Sequence, residues 1–288
     1  MRKSISVLCA SVLVSASLVT LSSGVVSADE TTTSAPVVKN SNGVYAVGDV
    51  GPGGGFIFYV NAKGFNCGPN FTKTGSPTGG LCHYLEVAPS GWSNGKPGSE
   101  DPFISWSSKA QYYKNVSGLD NFEWPPKPQI WEPVYIAKSG IGIGYKNSIA
   151  IVSQGNNSTT AAGAARAYKG GSLNDWYLPT LGELNNLGKW SRGLPWKSES
   201  TIIRGGSMNN PIFGAGSVGL VGAPYWSSNE GIRQTVDKAH HVVGNPKYAS
   251  SFAYALVITA EENIRIAPDV VSPFEKIGPS YVRPIRAF

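Results

Sequence analysis

Cysteine is almost missing from this sequence. Of the 3 present, Cys9 falls in an N-terminal segment that reads as a removable export signal, so only Cys67 and Cys82 remain. An even pair in an exported chain reads as a disulfide ahead of a metal site, a nucleophile or two free thiols. The loop between them, "GPNFTKTGSPTGGL", is rich in turn formers, and closing it should stabilise the fold by about 3 kcal/mol. Charge is also sparse, with Asp, Glu, Lys and Arg making up 15% of residues. No stretch after Val26 is long and apolar enough to span a bilayer. Nor does any grouping of acid, base and nucleophile stand out, so no catalytic residue, metal ligand or cofactor is assigned.

The phosphate-binding loops are missing as well. "GPGGGF" precedes a strand, whereas a phosphate loop follows a strand and opens a helix, so it reads as a turn. "GIGIGYKN" at 140–147 has neither the dinucleotide nor the Walker spacing. "AGSVG" around Ser217 has alanine where a nucleophile elbow needs glycine. Asp237, His240 and His241 match no strong metal spacing. Asp175 beside Trp176 reads as a hydrogen-bond acceptor rather than a base.

What is present begins with the signal. Arg2 and Lys3 lead a mostly apolar, serine-containing stretch that ends in Val26-Ser27-Ala28, a small-x-small cleavage site. The domain reading is therefore a signal peptide at 1–28, a disordered Thr/Ser-rich leader at 29–44 and one domain at 45–288. Insertions are placed near 90–135 and 188–222. Without Arg2 and Lys3 the balance is 22 basic against 18 acidic residues, or +4. The stretch 186–250 alone carries seven basic and three acidic residues, a surplus as large as that of the whole mature chain. A local basic field of this kind attracts anionic partners.

"GGFIFYV", "HYLEVAP", "PYWSSNE", "SFAYALVIT" and "SYVRPIRAF" read as strands. "NSIAIVSQG" and "STTAAGAARAYKG" read as helices, the second stopped by Gly170-Gly171. In "LPTLGELNNL", Thr180 and Glu183 have the spacing of a capping box, and Leu181, Leu184 and Leu187 form an apolar face. Glu183 thereby acquires a structural role. Residues 90–135 hold many Trp, Pro, Gly and Ser residues and read as a long ordered loop region. All 8 tryptophans lie beyond the signal, alongside 13 tyrosines. Such side chains fill cores, and they also offer flat faces with a polar edge that suit sugar rings.

Taken in order, "VGDVGPGGGFIFYV", "LCHYLEVAPSGW", "IGIGYKNSIAIV", "AARAYKGGSLNDWYLPTLGELNNL", "PYWSSNE" and "YVRPIRAF" resemble the Lcl C-terminal domain family. That family is named for the C-terminal module of a bacterial collagen-like adhesin. "WYLPTLGEL" and "YWSS" are also similar to parts of the formylglycine-generating enzyme and other C-type-lectin-like domains. The resemblance implies an α+β, C-type-lectin-like fold with two or three short helices and long loops. It also implies that the first and last strands pair so that the termini lie close. For function it implies surface adhesion, including binding of sulfated glycans. The collagen-like stalk is absent here, and so are the enzyme's paired cysteines near the C-terminus. Glu132-Pro133 and Asn174-Asp175 match lectin calcium motifs by letter only.

The expectation is a secreted or surface-associated carbohydrate-binding or adhesion module. Its partners would be glycans or host or environmental polysaccharides, with no nucleic acid and no integral membrane segment in the mature chain. An enzyme of unknown type on the same fold and a structural cell-envelope component are the alternatives. The expected ligand set is Arg192, Arg204, Arg233 and Lys238, with Trp190, Trp196 and Trp226 as aromatic faces. Arginine is favoured because it binds sulfate or carboxylate with two parallel hydrogen bonds.

Overall fold

The computed structural model describes residues 44–97, 99–119, 140–191, 223–231, 234–236, 242–244, 251–258 and 271–288. All belong to the unit Ala35–Phe288. The signal expected at 1–28 lies outside the described residues, as does the leader up to 43.

The fold is α+β. In chain order the described elements are β1 (Phe56–Phe65), β2 (Cys82–Val87), β3 (Phe103–Ser105), α1 (Gly144–Ser153), α2 (Ala161–Ala167) and α3 (Leu181–Ser191). The later elements are β4 (Ala223–Gly231), β5 (Gln234–Val236), β6 (Val242–Gly244), β7 (Phe252–Ile258), β8 (Val271–Glu275), β9 (Pro279–Tyr281) and β10 (Ile285–Ala287). One sheet has the order β1-β2-β10 and a second β3-β9-β4-β7-β8, while β5 and β6 pair with each other.

The first and last strands share a sheet, but they do not pair. β2 lies between them, antiparallel to both. The ends are nonetheless drawn together. The Tyr45 ring sits 5.4 Å from Tyr84 and 5.6 Å from Phe288, edge-on to each. His83 and Tyr84 both donate their amides to the Phe288 carbonyl.

"SYVRPIRAF" is not one strand. β9 joins the five-stranded sheet and β10 the three-stranded sheet, with Val282-Arg283-Pro284 crossing between them. Proline lacks the amide that would continue a ladder, and the Pro284 carbonyl accepts the Ala88 amide instead at 2.9 Å. Arg283 turns inward at the crossing, where it is fully buried.

The described part of the 90–135 segment builds the core as well as looping. β3 pairs with β9 at the edge of the larger sheet, the position where a short strand among prolines is tolerated. Trp106, Trp176 and Trp226 are the largest fully buried side chains. Each indole N–H meets a carbonyl: Ser227 at 2.8 Å, Gly170 at 3.0 Å and Ile104 at 2.8 Å respectively. That is the condition under which so large an amphipathic ring can be buried without an unmet donor.

The capping box of α3 forms as its letters predict. Thr180 donates its amide to Glu183 Oε2 at 2.8 Å, and the Glu183 amide donates to Thr180 Oγ1 at 3.2 Å. Leu181, Leu184 and Leu187 are all fully buried, but so is nearly everything else on the helix, including Asn185, Asn186 and Lys189. α2 ends at Ala167, ahead of the expected glycine stop, and Gly170–Ser172 forms a separate 3-10 turn. Cys67 and Cys82 are joined in a disulfide with Cα atoms 6.0 Å apart, which ties the foot of β2 to the loop after β1.

Candidate functional site

Of the expected ligand set, Arg192, Trp196, Arg204, Arg233 and Lys238 lie outside the described residues. Trp190 is half-buried at the end of α3, its ring 6.4 Å from Phe56 and 6.5 Å from Phe58 on β1. Trp226 corrects the expectation. It is fully buried, its N–H bonds the Ile104 carbonyl, and its ring meets Phe274 edge-on at 6.2 Å. It is a core residue and offers no face to a ligand. Lys189, at the start of the basic stretch, is also buried at 4% exposure and so presents little surface to a ligand.

The two glycine-rich segments prove to be anion cradles for the protein's own carboxylates. Glu86 projects from β2 into the turn "GPGGG". The Gly53 amide donates to both its oxygens, at 2.9 and 3.1 Å, and the Gly55 amide to Oε1 at 2.8 Å. A Cβ on Gly51 would stand 2.4 Å from Glu86 Cδ, one on Gly53 2.3 Å from the Trp176 ring, and one on Gly55 1.9 Å from the Val87 carbonyl oxygen. Only glycine lets the backbone approach this closely.

Arg286, opposite Glu86 in the β2–β10 register, completes that centre. Its Nη1 donates to Glu86 Oε2 at 3.0 Å, while Nε and Nη2 grip Asp175 at 2.9 and 2.8 Å. Asp175 is thus a hydrogen-bond acceptor, as its setting suggested. Burial pushes the Glu86 carboxyl above its ordinary range, and Arg286 with the Gly55 and Gly53 amides pulls it back.

The second cradle holds Glu183. Gly142 donates to Oε1 at 2.8 Å, Tyr177 Oη to the same oxygen at 3.0 Å, and Thr180 to Oε2. Gly142 takes φ +87°, and a Cβ there would lie 1.9 Å from the Asn66 carbonyl oxygen. A Cβ on Gly144 would press within 2.5 Å of Glu183 Oε2. Burial pushes this carboxyl up to about 7, against the pull of the Thr180 and Gly142 amides and the Tyr177 hydroxyl.

Two further buried ion pairs tie loop residues inward, Arg283 to Asp101 and Lys276 to Glu230 on β4. Arg283 Nε donates to both oxygens of Asp101 at 2.8 Å. Asp101 also accepts from Trp92 Nε1 at 2.9 Å and Tyr225 Oη at 3.0 Å. Lys276 bonds Glu230 and the Lys114 carbonyl, with its ammonium 4.8 Å above the Trp106 ring. A glutamate and arginines inside apolar strands are the sequence signal for such pairs, since charge is seldom buried without a partner. Neither Glu86 nor Arg286 carries a role in the expectation drawn from the sequence.

The surface offers aromatic faces. Phe103 is 51% exposed and packs at 4.8 Å on Tyr281. Tyr281 in turn stacks on buried Tyr225 at 5.6 Å and 30°, so the pair is braced from beneath by the Asp101–Arg283 centre. Tyr113 is 63% exposed beside Tyr112, ring centroids 4.2 Å apart.

Among the described residues, no group of three or more His, Cys, Asp or Glu side chains is placed to hold a metal ion. No helix among them is long and apolar enough to cross a membrane. No family model matches the chain, and no curated protein matches it.

Proposed function

We propose that the protein is a secreted or surface-associated carbohydrate-binding and adhesion module with a C-type-lectin-like arrangement, and that its ligands are acidic or sulfated glycans. The observation that carries this reading is the exposure of the Phe103 and Tyr113 rings, each packed on a half-buried tyrosine, Tyr281 and Tyr112, with Tyr281 braced in turn by buried Tyr225. A pyranose presents a flat C–H face that packs on such rings, and rings already fixed by their neighbours lose little freedom on binding. The anionic preference rests on the basic stretch, through Arg192, Arg204, Arg233 and Lys238, with Trp190 and Trp196 as its aromatic companions. Trp226 is not part of the proposed site. The resemblance of the chain's sequence blocks to the adhesin module supports the same class of ligand.

A glycan array probed with the mature protein, followed by analysis of the recovered glycans, tests the proposal. Retention of intact glycans supports it. Chemical change in the glycans would favour an enzyme on this scaffold, and self-assembly without retention would favour a structural envelope component.

A further inference from the structure

We infer that Glu183 is a proton-operated clasp between the starts of α1 and α3, holding the Gly142 amide when ionised and releasing it when protonated. The contrast between the two glycine cradles points to this. Both hold a buried glutamate through backbone amides, but Glu86 is also paired with a cation, Arg286, which it shares with Asp175. Glu183 is completely buried, and its partners among the described residues are all neutral: the Gly142 and Thr180 amides and the Thr180 and Tyr177 hydroxyls, with its own amide returned to Thr180. An interior carboxylate without a cation is compensated only by oriented dipoles, here those of two helix N-termini.

The charged groups on neighbouring elements are engaged elsewhere. Arg166 on α2 binds the Trp176 carbonyl and Tyr145 Oη. Arg286 on β10 binds Glu86 and Asp175. Lys146 on α1 and Lys189 on α3 make no bond to Glu183. Among the described residues Tyr177 is the titratable side chain bonded to Glu183, and burial together with the nearby Glu183 charge holds its phenol well above the ordinary range, so it stays neutral.

Adding a proton forces a specific rearrangement. The new O–H needs an acceptor among the hydroxyls beside it; Thr180 Oγ1 already accepts the Glu183 amide and donates to the Gly140 carbonyl, which leaves Tyr177 Oη. The proton therefore goes to Oε1, the oxygen that Tyr177 and Gly142 share, and the phenol reverses from donor to acceptor. Oε2 stays a carbonyl oxygen and keeps the Thr180 amide. Gly142 is left facing a hydroxyl oxygen, a weaker acceptor than a carboxylate. The cap of α3 survives, and the tether from α3 to the segment that opens α1 loosens.

The test is NMR on the intact mature protein, following the Glu carboxyl carbons and the Gly142 and Thr180 amides on both sides of pH 7. The expected result is one glutamate carboxyl with a midpoint of about 7, a Gly142 amide that shifts with the same midpoint, and a Thr180 amide that shifts less. Gly142 exchange protection should fall about tenfold on the acid side, because its bond to a charged acceptor is lost. In Glu183→Gln the Gly142 titration should vanish. A Glu183 carboxyl that titrates with the exposed carboxylates in wild type would overturn the inference without recourse to any variant. So would a Gly142 titration that persists in Glu183→Gln.

Discussion

Removing the guanidinium of Arg286 while keeping its bulk should expose how much of the fold rests on the Glu86 centre. Arg286→Met leaves two carboxylates without their cation. Glu86 has a side chain at 0% exposure and cannot rehydrate, whereas Asp175 at 17% partly can. Breaking a buried pair from one side costs about 3–5 kcal/mol, and Glu86 accounts for most of it here. At about 2–4 °C per kcal/mol for a domain of this size, the melting temperature should drop by about 10 °C.

The loss should also depend on pH. Burial already raises the Glu86 carboxyl above its ordinary value of 4.5, and Arg286 opposes that rise. Without Arg286 the folded-state value climbs further. A carboxyl raised in the folded state contributes stability that is present below the unfolded value and is lost as pH rises through the folded value. The deficit should therefore be smallest in acid and largest near neutrality. Thermal melts followed by near-UV circular dichroism across that range measure it, with Arg286→Lys expected to fall between wild type and Met. A variant that melts with wild type at neutral pH, or a deficit that does not change with pH, would refute the reasoning.

Other outcomes follow from the same contacts. Thr180→Ala should lower stability by about 1 kcal/mol through loss of the cap, with glycan retention unchanged; denaturant melts and a binding assay check the two halves. Reduction of Cys67–Cys82 should cost about 3 kcal/mol, and two alkylated thiols in the unreduced protein would contradict the bridge. Wild-type stability should decline by about 3 kcal/mol as pH rises from 4.5 to about 7 through Glu183 alone, a slope that Glu183→Gln should flatten in matched urea titrations. Phe103→Ala and Tyr113→Ala, both at exposed positions, should weaken glycan retention severalfold while leaving melting within about 0.5 kcal/mol.

The capping box could be read from the letters because both partners lie within one turn. The glycine segments could not be assigned a purpose the same way. Their letters excluded a phosphate loop, but Glu86 lies 31 and 33 residues from the amides it accepts and Glu183 lies 41 from Gly142. No local window contains both halves. "SYVRPIRAF" read as one closing strand. It breaks at Pro284, which cannot continue a ladder, and beside it Arg283 turns in to an Asp101 carboxylate 182 residues away. Trp226 shows another limit of residue type: the same indole that could stack on a sugar is also the largest core filler, and its burial is decided by the Ile104 carbonyl on a strand far away in sequence. The leucine stripe of α3 gave the direction of the core, while the burial of Asn185, Asn186 and Lys189 on its other faces lay beyond any periodicity.

The most direct test of the proposed function is retention of the mature protein on an immobilised sulfated polysaccharide at graded salt, beside a folded Arg192, Arg204, Arg233→Ala variant. The wild type should be held at low salt and released as salt rises, since the screening length falls to about 3 Å at 1 M, and the variant should elute earlier. Equal retention of the two proteins would contradict the basic site, and passage of the wild type unretained at low salt would contradict binding of anionic glycans.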